Sequence, residues 1–485
     1  MKRILLIGNS PLPEENTRTR PAAGLRTWQF LKGLEGKFDL RLATIAMPEC
    51  YEGASEAAGR ASEVRASGHV QISKNDPELL QKLQKLHDEF HPDVIIAVNT
   101  YPSYIAAGLK SLAPLWSDLN GWIMAEAQAQ AFKMDSNDYL AHYFEMEKKI
   151  VEAADKFSAV SKAECFALYG ELAALGRLNK ESFGYKFVEH VPNGIEWLES
   201  EKMAEGSGNR GEEHKHGGVH TNSDSVPGNA FVLLWVGGYN TWVDEMTLFK
   251  AVSEAMAKCP NLYFVSTGGG LSGLDGRTFE KFKKMIEESE WKNRFVFLGW
   301  VETSEMPTIY ARAQAGINVD RRCVETMTGA RNRINEMMKF GLPVVTTLGS
   351  EIAEEVRACG AGIAVKSGDH GAVAAAITKM YGEWRGGGGR ETKEFMAYGR
   401  AGMDYIKTRC NYETTLAPLL AWLENPRPAP DRNVNVEFGG ASLSGAGKVL
   451  VSGAKRGLAK SRMLWRYLRE NGFKKSFQKF LQKLM

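Results

Sequence analysis

Residues 325–345 read ETMTGARNRINEMMKFGLPVV. The stretch opens on an acid, sets two arginines one residue apart, runs on with helical spacing to Gly341, and ends in the apolar LPVV. A helix beginning near Thr328–Gly329 places Arg331 and Arg333 in its first turns. Exposed N–H groups and the helix dipole favour anions there and disfavour cations. Two arginines at such a position therefore need an acid or a bound anion to balance them. Guanidinium forks match a diphosphate better than ammonium groups do.

The surrounding sequence repeats the strand, glycine turn and helix pattern on both sides. Upstream lie FVLLWVGG and then DEMTLFKAVSEAMAKC, LYFVSTGGG, RFVFLGWV and AGINVD; downstream lie LPVVTT and GAGIAVK. The first half has the same grammar: KRILLIG, the helical RTWQFLKGL, then FDLRLATI, DVIIAVN, PLWSDLNGW, FSAVSK and VEHVPNG. Alternation of this kind predicts parallel α/β sheets. A chain of 485 residues is too long for one core, and two domains of about 200 residues each are the default. The expected layout is an N-terminal Rossmann-like domain over 1–200 and a polar, Gly/Ser/His-rich linker over 203–229. A second Rossmann-like domain follows over 230–400. A closing helix over 401–424 returns toward the first domain, and a linker and basic tail fill 425–485.

Six scattered cysteines without a CxxC pair argue against a disulfide framework or zinc site and for a reducing compartment. The apolar run in MKRILLIGNS is too short for a signal peptide. Residues 441–485 hold eleven Lys/Arg against one acid, a net of +10, so the other 440 residues carry about −7 of the total +3. That balance argues against a nucleic-acid-binding body. In the tail, Phe473, Phe477, Phe480, Leu481 and Leu484 fall on one helical face opposite Lys474, Lys475, Lys479 and Lys483. A basic amphipathic helix with aromatics predicts docking on an anionic membrane surface. His214, His216 and His220 form a histidine cluster inside the polar linker.

Ligands of open α/β sheets sit at the carboxyl ends of strands, which directs attention to the turns there. Gly237 and Gly238 follow one strand and let backbone N–H groups approach a phosphate, with Asn240 and Thr241 as donors and Asp244 as a helix cap or site residue. Gly269 and Gly270 repeat the device without a GxGxxG spacing. Trp300 and Val301 follow a third strand, where a base could stack. No DxD-type metal pair stands out, so no metal or cofactor is expected.

These residues together resemble the retaining, family-four type of GT-B glycosyltransferases. The nearest pattern is that of a bacterial surface-glycan clade with ETxLxxRTRxLDYLWAGLPVV. Glu325-Thr326, Arg331-Asn332-Arg333 and Gly341 to Thr347 match it. Trp235 to Gly238, Trp242, Asp244 and Thr247-Leu248 match the clade's WSGGxxxWxDPxTL. AGLRTWQFLKGL resembles its first helix, and WSDLNGWIMAE, with Asp118, Leu119 and Glu126, its D-L-x-x-P-x-x-x-E segment.

The resemblance implies a GT-B fold, two Rossmann-like domains facing a cleft, and transfer of a sugar from a nucleotide-diphosphate sugar. The acceptor would be a glycan or lipid-linked glycan of bacterial surface polysaccharide, at the inner face of the cytoplasmic membrane. It further implies retention, with the leaving phosphate assisting at the acceptor hydroxyl. Arg331 or Arg333 would meet the diphosphate, Glu336 the ribose and Glu325 the donor sugar, with Thr328 and Gly329 beside them. Asp118 is carried over as a catalytic carboxylate, and Gly8, Asn9, Arg26 and Glu126 would line the acceptor side. Thr328 stands where the family's E-x7-E motif has its first acid. A nucleotide-sugar 2-epimerase of the same fold and a non-catalytic scaffold are the alternative classes.

Overall fold

The computed structural model describes residues 1–15, 17, 22–51, 64–65, 68–196, 226–270, 275–386, 392–434 and 436. The histidine cluster and the 441–485 tail lie outside the described residues, as does the 203–229 linker apart from its last four.

The first domain runs β1 (Arg3–Ser10), α1 (Ala22–Leu34), β2 (Asp39–Ala46), β3 (Val64–Arg65), β4 (His69–Ser73), α2 (Leu79–Phe90) and β5 (Val94–Val98). It continues with α3 (Thr100–Ala106), β6 (Leu115–Leu119), α4 (Ile123–Met134), α5 (Leu140–Ala153), β7 (Lys156–Ala159), α6 (Lys162–Ala174) and β8 (Val188–His190). Its sheet order is β3-β4-β2-β1-β5-β6-β7-β8, parallel throughout except for β3 against β4.

The second domain runs β9 (Phe231–Trp235), α7 (Glu245–Lys258), β10 (Leu262–Thr267), α8 (Arg277–Glu287), β11 (Phe295–Gly299), α9 (Met306–Arg312) and β12 (Ala315–Asn318). Then come α10 (Val324–Thr328), α11 (Asn332–Lys339), β13 (Val344–Thr347), α12 (Glu351–Cys359), β14 (Gly362–Val365), α13 (His370–Arg385), α14 (Lys393–Arg409) and α15 (Tyr412–Glu424). Its order is β11-β10-β9-β12-β13-β14, all parallel. Central strands of both sheets are apolar on both faces: VIIAV of β5 and FVLLW of β9 are buried at every position. Helices must therefore cover both sides, as parallel sheets require. In each sheet the strand order reverses beside one central strand, β1 in the first and β9 in the second. The carboxyl ends at these switch points are where open α/β sheets hold ligands.

The chain crosses back at its end. Leu416, Leu419 and Leu423 of α15 are buried with Trp28, Phe30 and Leu34 of α1 in one apolar cluster. A Cβ on Gly33 would come within 2.1 Å of Leu416 Cδ1, so the helices meet at close range. Residues 425–434 were expected as a free linker, but they pack on the first domain. Asp155 Oδ1 accepts from Ala429 N at 2.9 Å, and Arg177 donates to both Asp431 oxygens at 2.8 Å.

The opening stretch is not one helix from Thr328. Two helices, α10 and α11, flank a break at Gly329–Arg331. A Cβ at Gly329 would lie 2.5 Å from Glu325 Oε1 and 3.0 Å from Arg331 Nη1. A side-chain pair fills the space a continuing helix would need, which ends α10 there.

Arg26 and Asp118, expected at the acceptor side and as a catalytic group, are both closed off inside the first domain. Arg26 donates to Asp118 through Nε (2.9 Å) and Nη2 (2.7 Å), and Ser158 Oγ adds a third bond at 2.6 Å. Neither side chain of the pair has measurable exposure. Asp118 ties β6 to α1 and β7 and has no exposed surface. Arg26→Met should cost about 3–5 kcal/mol, because it strands a buried carboxylate. The loss would appear as a lowered urea midpoint, while Arg3→Met, which opens the half-exposed pair with Asp93, should leave that midpoint nearly unchanged.

Candidate active site

The site forms where the loops after β9 and β12 meet α10, α11 and the first domain. After β9 the chain turns at Gly237 with φ +83°, a left-handed conformation that glycine adopts at no steric cost. Gly268 turns beside it with φ +81°, and a Cβ there would sit 2.4 Å from Gly237 O. Gly269 O accepts from Tyr239 N at 3.0 Å. Gly270 packs near Gly276 without a polar role. Asp244 caps α7, accepting from Thr247 N at 3.1 Å and Thr247 Oγ1 at 2.8 Å. Its carboxylate is committed to the helix end.

Arg331 does not wait open for an anion. It is 4% exposed, donates through Nη1 (3.0 Å) and Nη2 (2.7 Å) to Glu325, and through Nε to Asp320 Oδ2 at 2.6 Å. Trp242 lies against the same guanidinium at 5.4 Å. The bidentate pair is the strong geometry for such contacts. Glu325, expected at the donor sugar, has both oxygens on Arg331. Burial raises its carboxyl pKa above the usual range even so.

Arg333 is the contrasting case. Its Nη2 donates to Gly238 O at 2.8 Å, and its guanidinium stacks 4.4 Å from the centre of the Trp235 ring. Burial lowers its pKa to about 10, with only Asp320 and two tyrosines opposing the shift. Nη1 is buried and unpartnered, and so are Thr241 Oγ1 on the β9 loop and Asn318 Oδ1 and Asp320 Oδ1 at the end of β12. Buried polar atoms are normally satisfied. Arg333 Nη1 and Thr241 Oγ1 can donate to the oxygens of an anion, while the Asn318 and Asp320 oxygens can accept from hydroxyl or N–H groups. Glu336 lies one turn beyond Arg333 on α11 and is half-buried near Tyr310. Asn240 is half-buried on the β9 loop. Trp300 is 37% exposed just past β11, with Val301 half-buried beside it.

The first domain closes over this region. Ser161 Oγ donates to Thr328 O at 2.6 Å, Asn193 Nδ2 to Asn332 Oδ1 at 2.5 Å, and Lys162 N to Glu351 Oε2 at 2.8 Å. Thr328 turns its own hydroxyl back onto Val324 O at 3.0 Å. At the far end of α4, Lys133 reaches Glu245 at 3.8 Å. Glu126, at the start of α4, faces the Glu325–Arg331 pair. Burial and the Glu325 carboxylate push it up to about 8, with Arg331 opposing. Gly8 and Asn9, at the carboxyl end of β1, pack under α1: a Cβ on Gly8 would meet Thr27 Cγ2 at 2.3 Å, and Asn9 is 4% exposed.

Sequence reasoning passed over Asp320, Ser161, Asn193 and Glu245. Asp320 had a local signal, an acid ending the strand AGINVD. The others owe their place to domain closure, which no local pattern reports.

With the geometry established, known proteins supply the comparison. Residues 230–383 match the family described as Glycosyl transferases group 1. No curated protein matches the chain. Among solved structures it resembles a sucrose-phosphate synthase from Thermosynechococcus elongatus at 14% identity, covering 87% of this chain and 98% of that one, with TM-score 0.58. Anabaena HepE in complex with UDP-glucose also matches at 14% identity, 87% and 100% coverage and TM-score 0.58. So does the alpha,alpha-trehalose 6-phosphate synthase of Burkholderia multivorans, at 13%, 87% and 98%, with TM-score 0.59. At these identities the likeness is one of fold, and the fold is GT-B.

Glu126 makes closure pH-dependent. A carboxyl whose folded pKa exceeds its unfolded one keeps a proton that the unfolded chain has already released. Between 4.5 and about 8 stability therefore falls as pH rises. Melting temperature against pH should decline less steeply for Glu126→Gln than for the wild type across that window. The slope that remains belongs to the other carboxyls that burial raises, among them Glu147, Glu164 and Glu325.

Proposed function

We propose that the chain is a glycosyltransferase that moves a sugar from a nucleotide-diphosphate sugar to a glycan or lipid-linked glycan acceptor, in bacterial surface polysaccharide synthesis. Arg333 carries the reading: a half-buried side chain whose Nη2 donates to Gly238 O and whose Nη1 is buried and unpartnered beside the Gly237–Gly238 turn. The donor's diphosphate fits that place, with Thr241 as a further donor and Glu336 toward the ribose. When the anomeric carbon–oxygen bond to the diphosphate breaks, negative charge grows on the leaving oxygen. A fixed guanidinium in a desolvated site stabilises that charge most effectively. The bond from the acceptor oxygen forms on the same face, and the acceptor's proton passes to the leaving phosphate oxygen, which balances the reaction and retains configuration.

The Glycosyl transferases group 1 match over 230–383 supports the donor assignment. UDP-glucose, bound in Anabaena HepE, is the first donor to test. Glu126 belongs on the acceptor side, where α4 of the first domain meets α10. The 441–485 tail, with its net charge of +10, would hold the enzyme at the inner face of an anionic cytoplasmic membrane, within reach of a lipid-linked acceptor. Among the described residues no helix is long and apolar enough to cross a membrane.

The two arginines separate under mutation. Arg333→Ala should weaken nucleotide-sugar binding about tenfold to a hundredfold, the range for one charged hydrogen-bonded contact, while the melting temperature changes little. Arg331→Ala should instead lower the melting temperature strongly, because Asp320 and Glu325 lose their shared counter-charge. Calorimetric titration across a panel of nucleotide sugars, with thermal melts of the same samples, reads both. Unchanged binding by Arg333→Ala would sink the donor-site assignment.

A further inference from the structure

Exposed apolar side chains are ordinary when scattered and informative when they converge. Five converge at one corner of the first domain. Leu112 and Phe183 are each 93% exposed, Leu178 is 47% exposed, and Val434 and Val436 are each 37% exposed. Hydrogen bonds tie their segments together. Arg432 Nη1 donates to Leu112 O at 3.0 Å and Nη2 to Ala113 O at 3.2 Å. Arg177, next to Leu178, holds Asp431, and Ser182, next to Phe183, donates to Arg177 O at 2.7 Å. Asp155 pins the middle, accepting from Leu115 N at 2.8 Å and Ala429 N at 2.9 Å, while Tyr185 Oη donates to its carbonyl at 2.9 Å. Two loop tips and the strap that leaves the domain thus form one rigid platform.

Nothing within the described fold needs Leu112 or Phe183 at the surface. Hydrogen bonds from Arg432 hold the Leu112 segment and the buried Ser182–Arg177 bond holds the Phe183 segment, so the tips are presented and not frayed. The platform is also where the chain passes out toward its tail. The 441–485 segment that follows carries eleven basic residues against one acid, with apolar and aromatic residues at helical spacing. An apolar tip beside a strongly basic segment is the composition that partitions to an anionic lipid surface: tips enter the acyl boundary while lysines face the headgroups.

We infer that this corner, built on Leu112 and Phe183, docks on an anionic lipid bilayer together with the tail. The inference rests on the membrane reading of the tail given above and adds a folded, oriented contact to it. It also sets an orientation. Leu112 lies just before the first residue of β6 and Phe183 just before β8, at the amino ends of the strands. The cleft is at the carboxyl ends, so docking at the corner holds the cleft on the side away from the lipid. The acceptor end that reacts would then stand off the membrane by at least the length of a five-residue strand, roughly 17 Å.

Co-sedimentation of the full chain with vesicles of phosphatidylglycerol and phosphatidylcholine, against phosphatidylcholine alone, tests this. The expected result is binding to the anionic vesicles only, and about a tenfold or larger loss in partitioning for the double variant L112E/F183E with its tail intact. Both positions are exposed, so the melting temperature should not move, and that control excludes unfolding. A chain ending at Val436 should bind more weakly than the full chain. If L112E/F183E partitions as the wild type does while truncation abolishes binding, the tail docks alone and the corner is not a lipid contact. Increased binding by L112E/F183E would mean that the corner seats the chain's own tail, which also overturns the inference. No binding by the full chain overturns the corner and the tail reading together.

Discussion

The buried Arg331 guanidinium, shared between Glu325 and Asp320, is the constraint on which the rest of the site depends. It joins the end of β12 to α10, and so sets where the helix must break. The break in turn starts α11 afresh at Asn332, which brings Arg333 round to the Gly238 carbonyl and the Trp235 face. A straight helix through Gly329 would have turned both arginines differently. The pair is costly to desolvate, and its two-against-one charge would be unfavourable by itself. Arg333 brings the local count to two cations and two carboxylates.

That balance bears on how an anion could enter. A diphosphate adds negative charge to a pocket already holding Asp320 and Glu325, with Glu126 facing them from the other domain. Glu126 relieves the problem by its raised pKa, since near neutrality it holds a proton for most of the time. The acid on the closing domain is thus kept largely neutral by its burial and by the acid on the other, and closure does not drive a third charge into the cleft.

Much of the architecture was legible in the sequence. Short apolar runs ending in glycine marked β1, β9, β10 and β11, and two restarts of that grammar gave two doubly wound domains. The pattern around 325–345 pointed to the region where the loops after β9 and β12 meet α10 and α11. What stayed hidden depends on distant partners. Arg331 and Arg333 look equivalent in sequence, yet one is consumed by carboxylates and the other is left without one, because Asp320 is eleven residues away and approaches only when β12 has folded. Asp118 read as reactive because it matched a motif, while its burial follows from Arg26 packing across 92 residues of chain. The strand β4 was missed because HVQIS has mixed burial and no continuous apolar run.

The threonine at 328 can be understood in the same terms. Its side chain is 5% exposed, bonds back to Val324 O, and offers its carbonyl to Ser161 at the domain interface. A carboxylate there would be a third acid beside Glu325 and Asp320, buried with one arginine already spent on two of them. Arg331 already serves both, so a third carboxylate would compete for the Arg333 guanidinium. Moving the acid back to Glu325 lets Arg331 hold it through both nitrogens and leaves position 328 free for a neutral latch between domains. The neutral residue at 328 and the buried ion pair are one arrangement, in which the acid stands one turn earlier, where Arg331 neutralises it through both nitrogens.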